Sequence, residues 1–162
     1  MRILLPIDQS KFSQVALRTV ASLIRPKGNQ VRVLHVIEHP SAYFSAAMFP
    51  RVVKHTAEME RDRMAEAHVM VNRAAGKLRG ARLKAKGIVE KGNAKSAIID
   101  YARRWGADLI VVGSHGLKGL RRVLMGSVSA AVIRDANCSV QVVRIRKIKN
   151  RAKWKTRSRR RK

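Results

Sequence analysis

The sequence contains little cysteine, few aromatic side chains and no long apolar run. Its single cysteine, Cys138, excludes an intrachain disulfide. Aromatic residues make up 4% of the chain and hydrophobic residues 46%, so the predicted core is aliphatic. No apolar run approaches the roughly 18 residues that span a bilayer, and the apolar stretch before Asp8 is too short for a secretory signal. These shortages predict a soluble cytoplasmic protein without a transmembrane segment.

Acidic residues are also scarce. The chain has ten Asp and Glu and 36 Lys and Arg, which gives a formal net charge of +26. Ten of the basic residues and none of the acidic ones lie in residues 147–162, the basic tail. Charge repulsion and little apolar area predict a disordered tail. It is expected to bind nucleic-acid phosphates, with Trp154 stacking on an unpaired base. An anionic membrane surface, an acidic protein or a purely solubilising role are the alternatives.

What the sequence does have is five short apolar stretches that alternate with four amphipathic ones. A chain of 162 residues suits one domain, predicted over residues 1–146. The predicted strands are residues 2–7, 30–37, 81–90, 108–112 and 138–146. The predicted helices start near Ser10 and at 51, 94 and 127, and residues 39–50 are predicted to form a loop. This alternation predicts an α/β three-layer sandwich with a five-stranded parallel sheet.

A glycine-rich loop follows the fourth predicted strand, with glycine at 113, 116, 119 and 126. Ser127 then opens an apolar helical run. The unpaired N–H groups and partial positive charge of a first helical turn form a phosphate cradle, where the Ser127 hydroxyl would meet a phosphate oxygen. The spacing fits neither a P-loop, because no lysine lies between Gly126 and Ser127, nor a Rossmann fingerprint, which follows the first strand. An ordinary strand-to-helix loop is the structural alternative.

Four of these residues follow the pattern Gly, two residues, Gly, nine residues, Gly-Ser/Thr: Gly113, Gly116, Gly126 and Ser127. The pattern resembles the ATP-binding signature of the universal stress protein family. The resemblance extends from Met1 to about Ile145, through the opening residues 4–10 and the fourth strand at 106–113. The chain departs from the usual family pattern at Gln9, where glycine is common, and at Ser139, where proline is common.

The resemblance implies a flavodoxin-like or Rossmann-like sheet of order 3-2-1-4-5, with ATP at the switch point between strands one and four. Pro6, Ile7 and Asp8 would line the first loop, with Asp8 facing ribose, phosphate or a bound metal, and the Val36 backbone would meet adenine. Mg²⁺ or Mn²⁺ would be held mainly by the phosphates, since no metal site built from protein residues alone is predicted. The other implied nucleotide contacts are Val112, Gly113, Ser114, His115, Gly116, Leu117, Lys118, Gly126, Ser127, Val128 and Ser129.

The resemblance further implies a nucleotide-dependent regulator of the stress response that binds ATP more than it hydrolyses it. Slow ATP hydrolysis is one alternative, involving Asp8 and His115. A nucleic-acid-associated or ribosome-associated module that uses the basic tail is another, and a dimeric scaffold without nucleotide is a third. The homodimer implied by the family would pair residues 140–145, a terminal apolar strand whose unpaired edge favours a partner.

Single side chains also have simpler interpretations. The simpler interpretation of Asp8 is a residue that caps a helix or closes the turn after a strand. His115 either contacts the ligand or faces solvent. His35 lies within a strand and is predicted to be structural, and Cys138 is predicted to be a small buried apolar residue.

Overall fold

The computed structural model describes residues 1–38, 50–116 and 125–145, and for residues 50–57 the backbone alone. Several predictions therefore lie outside the described residues. These are residues 39–49 of the predicted loop, the implied nucleotide contacts Leu117 and Lys118, and the basic tail. Pro50, predicted as the last residue of that loop, is instead the first residue of a helix.

In residues 1–38, 50–116 and 125–145, five strands alternate with four helices. The strands are β1 (Arg2–Pro6), β2 (Gln30–Ile37), β3 (Lys84–Lys91), β4 (Leu109–Gly113) and β5 (Ser139–Val143). The helices are α1 (Lys11–Leu23), α2 (Pro50–Gly80), α3 (Ala94–Trp105) and α4 (Ser127–Asp135). All paired strands are parallel and their order is β3-β2-β1-β4-β5, which confirms the predicted fold.

Both faces of the sheet are buried, because its strands alternate their side chains between two helical layers. Ile3, Leu5 and Val33 pack with α1 and α2. Leu4 and Ile110 point to the other face and pack with α3 and α4. The core is aliphatic as predicted, and no helix among the described residues is long and apolar enough to cross a bilayer.

Several predicted boundaries were wrong. Gly76 lies inside α2 rather than at its end, since the roughly 1 kcal/mol cost of an interior glycine is offset by the apolar side that α2 packs on the sheet. Residues 81–83 form a turn with Arg82 at φ +63°, so β3 starts later than predicted. The helix α1 ends at Leu23, before the predicted stop at Pro26, and β5 ends at Val143.

Candidate functional site

The site lies at the carboxyl end of the sheet, where β1 pairs with both β2 and β4. The chain leaves β1 toward α1 on one face and leaves β4 toward α4 on the other. Because the two connections diverge, they open a crevice between the ends of β1 and β4. Residues 7–10 form the first loop at this crevice. The second loop connects β4 to α4, and its described residues are 114–116 and 125–126.

Asp8 organises the first loop. Its Oδ1 accepts hydrogen bonds from the Ser10 N–H at 3.0 Å and from the Ser13 hydroxyl at 2.5 Å. Ser10 is the N-cap of α1, and its hydroxyl accepts from the Ser13 N–H at 3.2 Å. Asp8 therefore closes the turn before α1, as its simpler interpretation expects, and its role as a ligand contact stays a prediction. Its Oδ2 lies 2.9 Å from the position that a Cβ on Gly116 would take, so the carboxylate faces the second loop.

Glycine is required where β4 meets α1. A Cβ on Gly113 would lie 2.8 Å from the carbonyl carbon of Phe12 and 2.9 Å from its Cβ, closer than real Cβ atoms approach. The first turn of α1 therefore packs directly on the end of β4. This contact brings the start of α1 next to the start of the second loop.

Backbone and serine hydrogen bonds fix both ends of the second loop. The Ser114 N–H donates to the Val143 carbonyl, and the Gly126 N–H donates to the Ser114 carbonyl, each at 2.8 Å. The buried Ser129 hydroxyl donates to the Gly113 carbonyl at 2.7 Å. Ser129, an implied phosphate contact, thus uses its hydroxyl to hold α4 against β4.

The first turn of α4 presents amides that have no acceptor among the described residues. Gly126 is its N-cap, with φ −70° and ψ 151°, and no side chain caps the helix in the described part of the chain. The first helical bond is donated by the Ala130 N–H to the Gly126 carbonyl at 2.9 Å. The N–H groups of residues 127–129 consequently have no acceptor within the helix. These amides and the helix dipole favour an anion at this point.

His115 lies beside these amides. Its ring is 4.9 Å from the Phe12 ring between centroids, and its Nδ1 is 3.1 Å from the Ser114 hydroxyl. The histidine is half-buried rather than fully solvent-facing. A Cβ on Gly126 would lie 3.1 Å from the His115 Cα, so a side chain there would crowd the loop. The sequence analysis did not identify Phe12 as a residue of the site. The chain has three phenylalanines, and the position of this one four residues after Asp8 was the signal that could have identified it.

Strand β2 extends past the end of β1 on the other side of the crevice. The last β1–β2 pair is Pro6 with Leu34, and the Ile7 N–H donates to the Leu34 carbonyl at 2.8 Å. The backbone N–H and C=O of alternate residues point to the same neighbouring strand, so those of Val36 point to the same side as those of Leu34, toward β1. The pairing with β1 ends at Leu34, so no β1 residue lies opposite Val36. His35 Nδ1 lies 2.9 Å from the Ile7 carbonyl, in the structural role predicted.

The structure thus gathers most of the implied contacts around one crevice. Residues 6–8 end β1, residues 112–116 end β4, and residues 126–129 begin α4. In the described ranges, no group of three or more His, Cys, Asp and Glu side chains is placed to hold a metal ion. Cys138 is half-buried rather than buried, and burial raises the pKa of its thiol, with a further contribution from the negative charge of Asp108.

Comparison with known proteins agrees with this geometry. The model of the universal stress protein family matches residues 1–144. This chain belongs to that family. The universal stress protein Sll1388 of Synechocystis is 30% identical over 151 residues, which cover 88% of this chain and 96% of the relative. The solved structure of Methanocaldococcus jannaschii MJ0577 superposes with a TM-score of 0.77 at 29% identity, covering 90% of this chain and 96% of that protein.

Structures of more distant members hold adenine nucleotides. A family protein of Arabidopsis thaliana with AMP bound has a TM-score of 0.65 at 19% identity, covering 90% of this chain and 92% of that protein. Other universal stress protein structures contain cAMP, at a TM-score of 0.59, or dAMP in the Archaeoglobus fulgidus protein, at 0.57. At such identities the likeness to this chain is one of fold.

Proposed function

We propose that this universal stress protein binds ATP in the crevice between β1 and β4 and acts as a nucleotide-dependent regulator in the stress response. The uncapped first turn of α4 is the observation that carries the proposal, because its three amides need an acceptor that the described residues do not provide. Adenine nucleotides in the AMP, cAMP and dAMP complexes of related proteins support it.

The proposal assigns each part of the nucleotide to a group at the crevice. The phosphates would accept from the amides of residues 127–129, and adenine would meet the backbone of Val36, whose β1 side has no strand opposite it. The carboxylate of Asp8 faces Gly116 across the crevice and is proposed to meet the ribose or a phosphate-bound metal ion. Mg²⁺ or Mn²⁺ would then be held mainly by phosphate oxygens, which hard divalent cations prefer.

The test is calorimetry of the whole chain with MgATP. We expect Gly126→Asp to weaken ATP binding by at least about tenfold, because a carboxylate would occupy the amides and repel the phosphates. The matched control, Ser96→Asp, adds the same charge to the exposed first turn of α3 and should bind ATP as the unchanged chain does. No heat from the unchanged chain, together with no adenine nucleotide released when freshly purified protein is denatured, would sink the proposal.

The nucleotide is proposed to be bound more than turned over. The crevice has no P-loop lysine, and Asp8 already accepts two hydrogen bonds within its own loop. Slow hydrolysis is the alternative, and Asp8→Asn distinguishes the two. Phosphate release that disappears in this variant while binding survives would identify a slow ATPase, whereas equal loss of both would indicate a binding role.

We also propose a homodimer formed through the free edge of β5, over residues 140–145. Within the described ranges, strand β5 pairs with β4 on one side only, and Ile145 beside it is exposed. By the alternation along the strand, the Arg144 N–H points outward, since the Val143 carbonyl faces β4. Sedimentation should show a monomer for Arg144→Pro, which removes this donor, and a dimer for Arg144→Ala. Two dimers would contradict pairing at this edge.

The basic tail is proposed to be a separate nucleic-acid-binding segment. It holds ten basic residues, no acidic residue and Trp154. Deletion of residues 147–162 should abolish binding to RNA or DNA together with its salt dependence, while ATP affinity stays the same. Nucleic-acid binding that survives the deletion would instead place the interaction on the domain.

A further inference from the structure

A cavity of about 680 Å³ lies away from the crevice, between the start of the sheet and the end of α3. Arg2 and Gln30 are the first residues of β1 and β2, and Trp105 is the last residue of α3. The cavity therefore opens at the amino ends of β1 and β2, and it reaches Glu90 near the carboxyl end of β3. The residues that line this arginine pocket are Arg2, Gln30, Arg32, Glu90, Tyr101, Arg104 and Trp105.

The arginine pocket holds more positive than negative charge. Its single carboxylate, Glu90, accepts from Arg104 Nη2 at 2.9 Å. Among the described residues, no carboxylate oxygen lies within 4.0 Å of the guanidinium nitrogens of Arg2 or Arg32. The nearby Asp108 carboxylate instead accepts from the Arg2 backbone N–H at 2.6 Å. Lys86 lies opposite Arg32 in the β2–β3 register and adds another cation beside the pocket. Clustered cations of this kind favour an anionic ligand that offsets their mutual repulsion.

The guanidinium groups are held in place by aromatic residues. Arg32 Nη1 donates to the Tyr101 hydroxyl at 2.7 Å, and the Arg32 guanidinium carbon lies 4.5 Å from the Trp105 ring centroid. Arg2 Nη1 donates to the Trp105 carbonyl at 2.9 Å. Each of the two hydrogen bonds uses one of the five N–H donors of its arginine, and the ring contact uses none, so most donors stay available in a fixed orientation.

We propose that the arginine pocket binds the phosphate group of a ligand, independently of the proposed ATP site. Guanidinium forks match the oxygens of phosphate in a bidentate geometry that lysine does not reproduce. The phosphate belongs either to a small phosphorylated molecule or to a phosphodiester backbone. Both present the same chemistry to Arg2, Arg32 and Arg104. The pocket is also remote from β5, so it stays open in the proposed dimer.

Trp105 provides a local reporter. The chain has two tryptophans, and Trp154→Phe leaves Trp105 as the only one. An anion bound to Arg32 changes the electric field over the Trp105 ring, so titration with inorganic pyrophosphate should produce a saturable change in fluorescence. In that background, Arg2→Gln and Arg104→Gln should each weaken pyrophosphate binding by about tenfold, through loss of charge-assisted hydrogen bonds. Circular dichroism verifies that each variant is folded.

Two controls separate this pocket from other binding. Arg103→Gln removes an adjacent exposed charge that does not line the pocket, and it should leave pyrophosphate affinity unchanged. Gly126→Asp should also leave the Trp105 response unchanged, even where it abolishes ATP binding. The proposal is overturned by a response that does not saturate, by equal loss in Arg103→Gln and Arg104→Gln, or by loss in Gly126→Asp.

An oligothymidylate of twelve nucleotides distinguishes the two sources of phosphate. A Trp105 response to this oligonucleotide that pyrophosphate competes away, and that Arg104→Gln weakens, assigns the pocket to a phosphodiester backbone. A response to pyrophosphate alone assigns it to a small phosphorylated molecule. Because the reporter is Trp105, oligonucleotide bound only to the basic tail leaves the signal unchanged, and silence toward both probes contradicts the proposal.

Discussion

The helices α3 and α4 lie on the same face of the sheet, and both begin near the carboxyl ends of the strands. Their first turns differ in how the amides are capped. In α3 the Asn93 side chain accepts from the Lys95 N–H at 3.0 Å, and the Glu38 carboxylate accepts from the Ala94 N–H at 3.1 Å. In α4 the N-cap is Gly126, which offers no side chain. A capped turn contributes stability to the domain. An uncapped turn keeps its amides for a ligand. We therefore expect the start of α3 to contribute to stability and the start of α4 to contribute to binding.

The largest expected effect comes from adding a side chain at the base of the crevice, where β4 meets α1. Gly113→Ala places a Cβ against the Phe12 backbone, and the clash can be removed only if α1 moves. The variant should therefore lose about 1–3 kcal/mol of unfolding free energy. It should also abolish ATP binding. Gly87→Ala is the matched control, because its Cβ would clash with Val71 on α2, away from the crevice. Urea unfolding and calorimetry should show both variants destabilised and only Gly113→Ala impaired in binding; equal binding by the two would break the comparison.

A smaller effect is expected at the capped terminus. Asn93→Ala should lower the unfolding free energy by about 1 kcal/mol, because the Lys95 N–H loses its acceptor. ATP affinity should not change, since α3 plays no part in the proposed cradle. A lower unfolding midpoint in urea with unchanged calorimetry would sharpen the contrast. A parallel loss of ATP affinity would show that the two helix termini are coupled.

The smallest effect is expected beyond the far end of α4. Burial and the charge of Asp108 raise the pKa of the Cys138 thiol, so little thiolate exists at neutral pH. Iodoacetamide should therefore react slowly at pH 7 and faster as the pH rises toward the raised pKa. Asp108→Asn removes the repelling charge, lowers the pKa and should modestly accelerate the reaction at pH 8. Saturating ATP should leave the rate unchanged, because Cys138 lies after α4, away from its first turn; protection by ATP would contradict this.

Local patterns predicted the elements well and their contacts less well. Strand β2 and helix α3 were predicted with the bounds observed, because hydrophobic periodicity and the cap at Asn93 are readable over a few residues. The strand order came with the family resemblance. The Ser129 bond to Gly113 could not be predicted, since it depends on how α4 packs against β4.

The arginine pocket shows the same limit. Arg2, Arg32 and Arg104 are far apart in a sequence with 36 basic residues, and only the strand register brings them to one cavity. The stacking of Phe12 on His115 likewise joins residues from different loops. Composition identified an excess of positive charge without showing which cations would lack carboxylate partners.

The bond from the Gly126 N–H to the Ser114 carbonyl has a consequence for how this fold diversifies. Because this hydrogen bond uses only backbone atoms, Ser114 and Gly126 can hold the two ends of the connection together whatever side chains lie between them. The residues between these two positions can therefore be exchanged as an insert. The free energy of closing a longer insert rises only with the logarithm of its length. Transplanting segments of different length and sequence between positions 115 and 125 should therefore alter which ligand is preferred while leaving the scaffold intact.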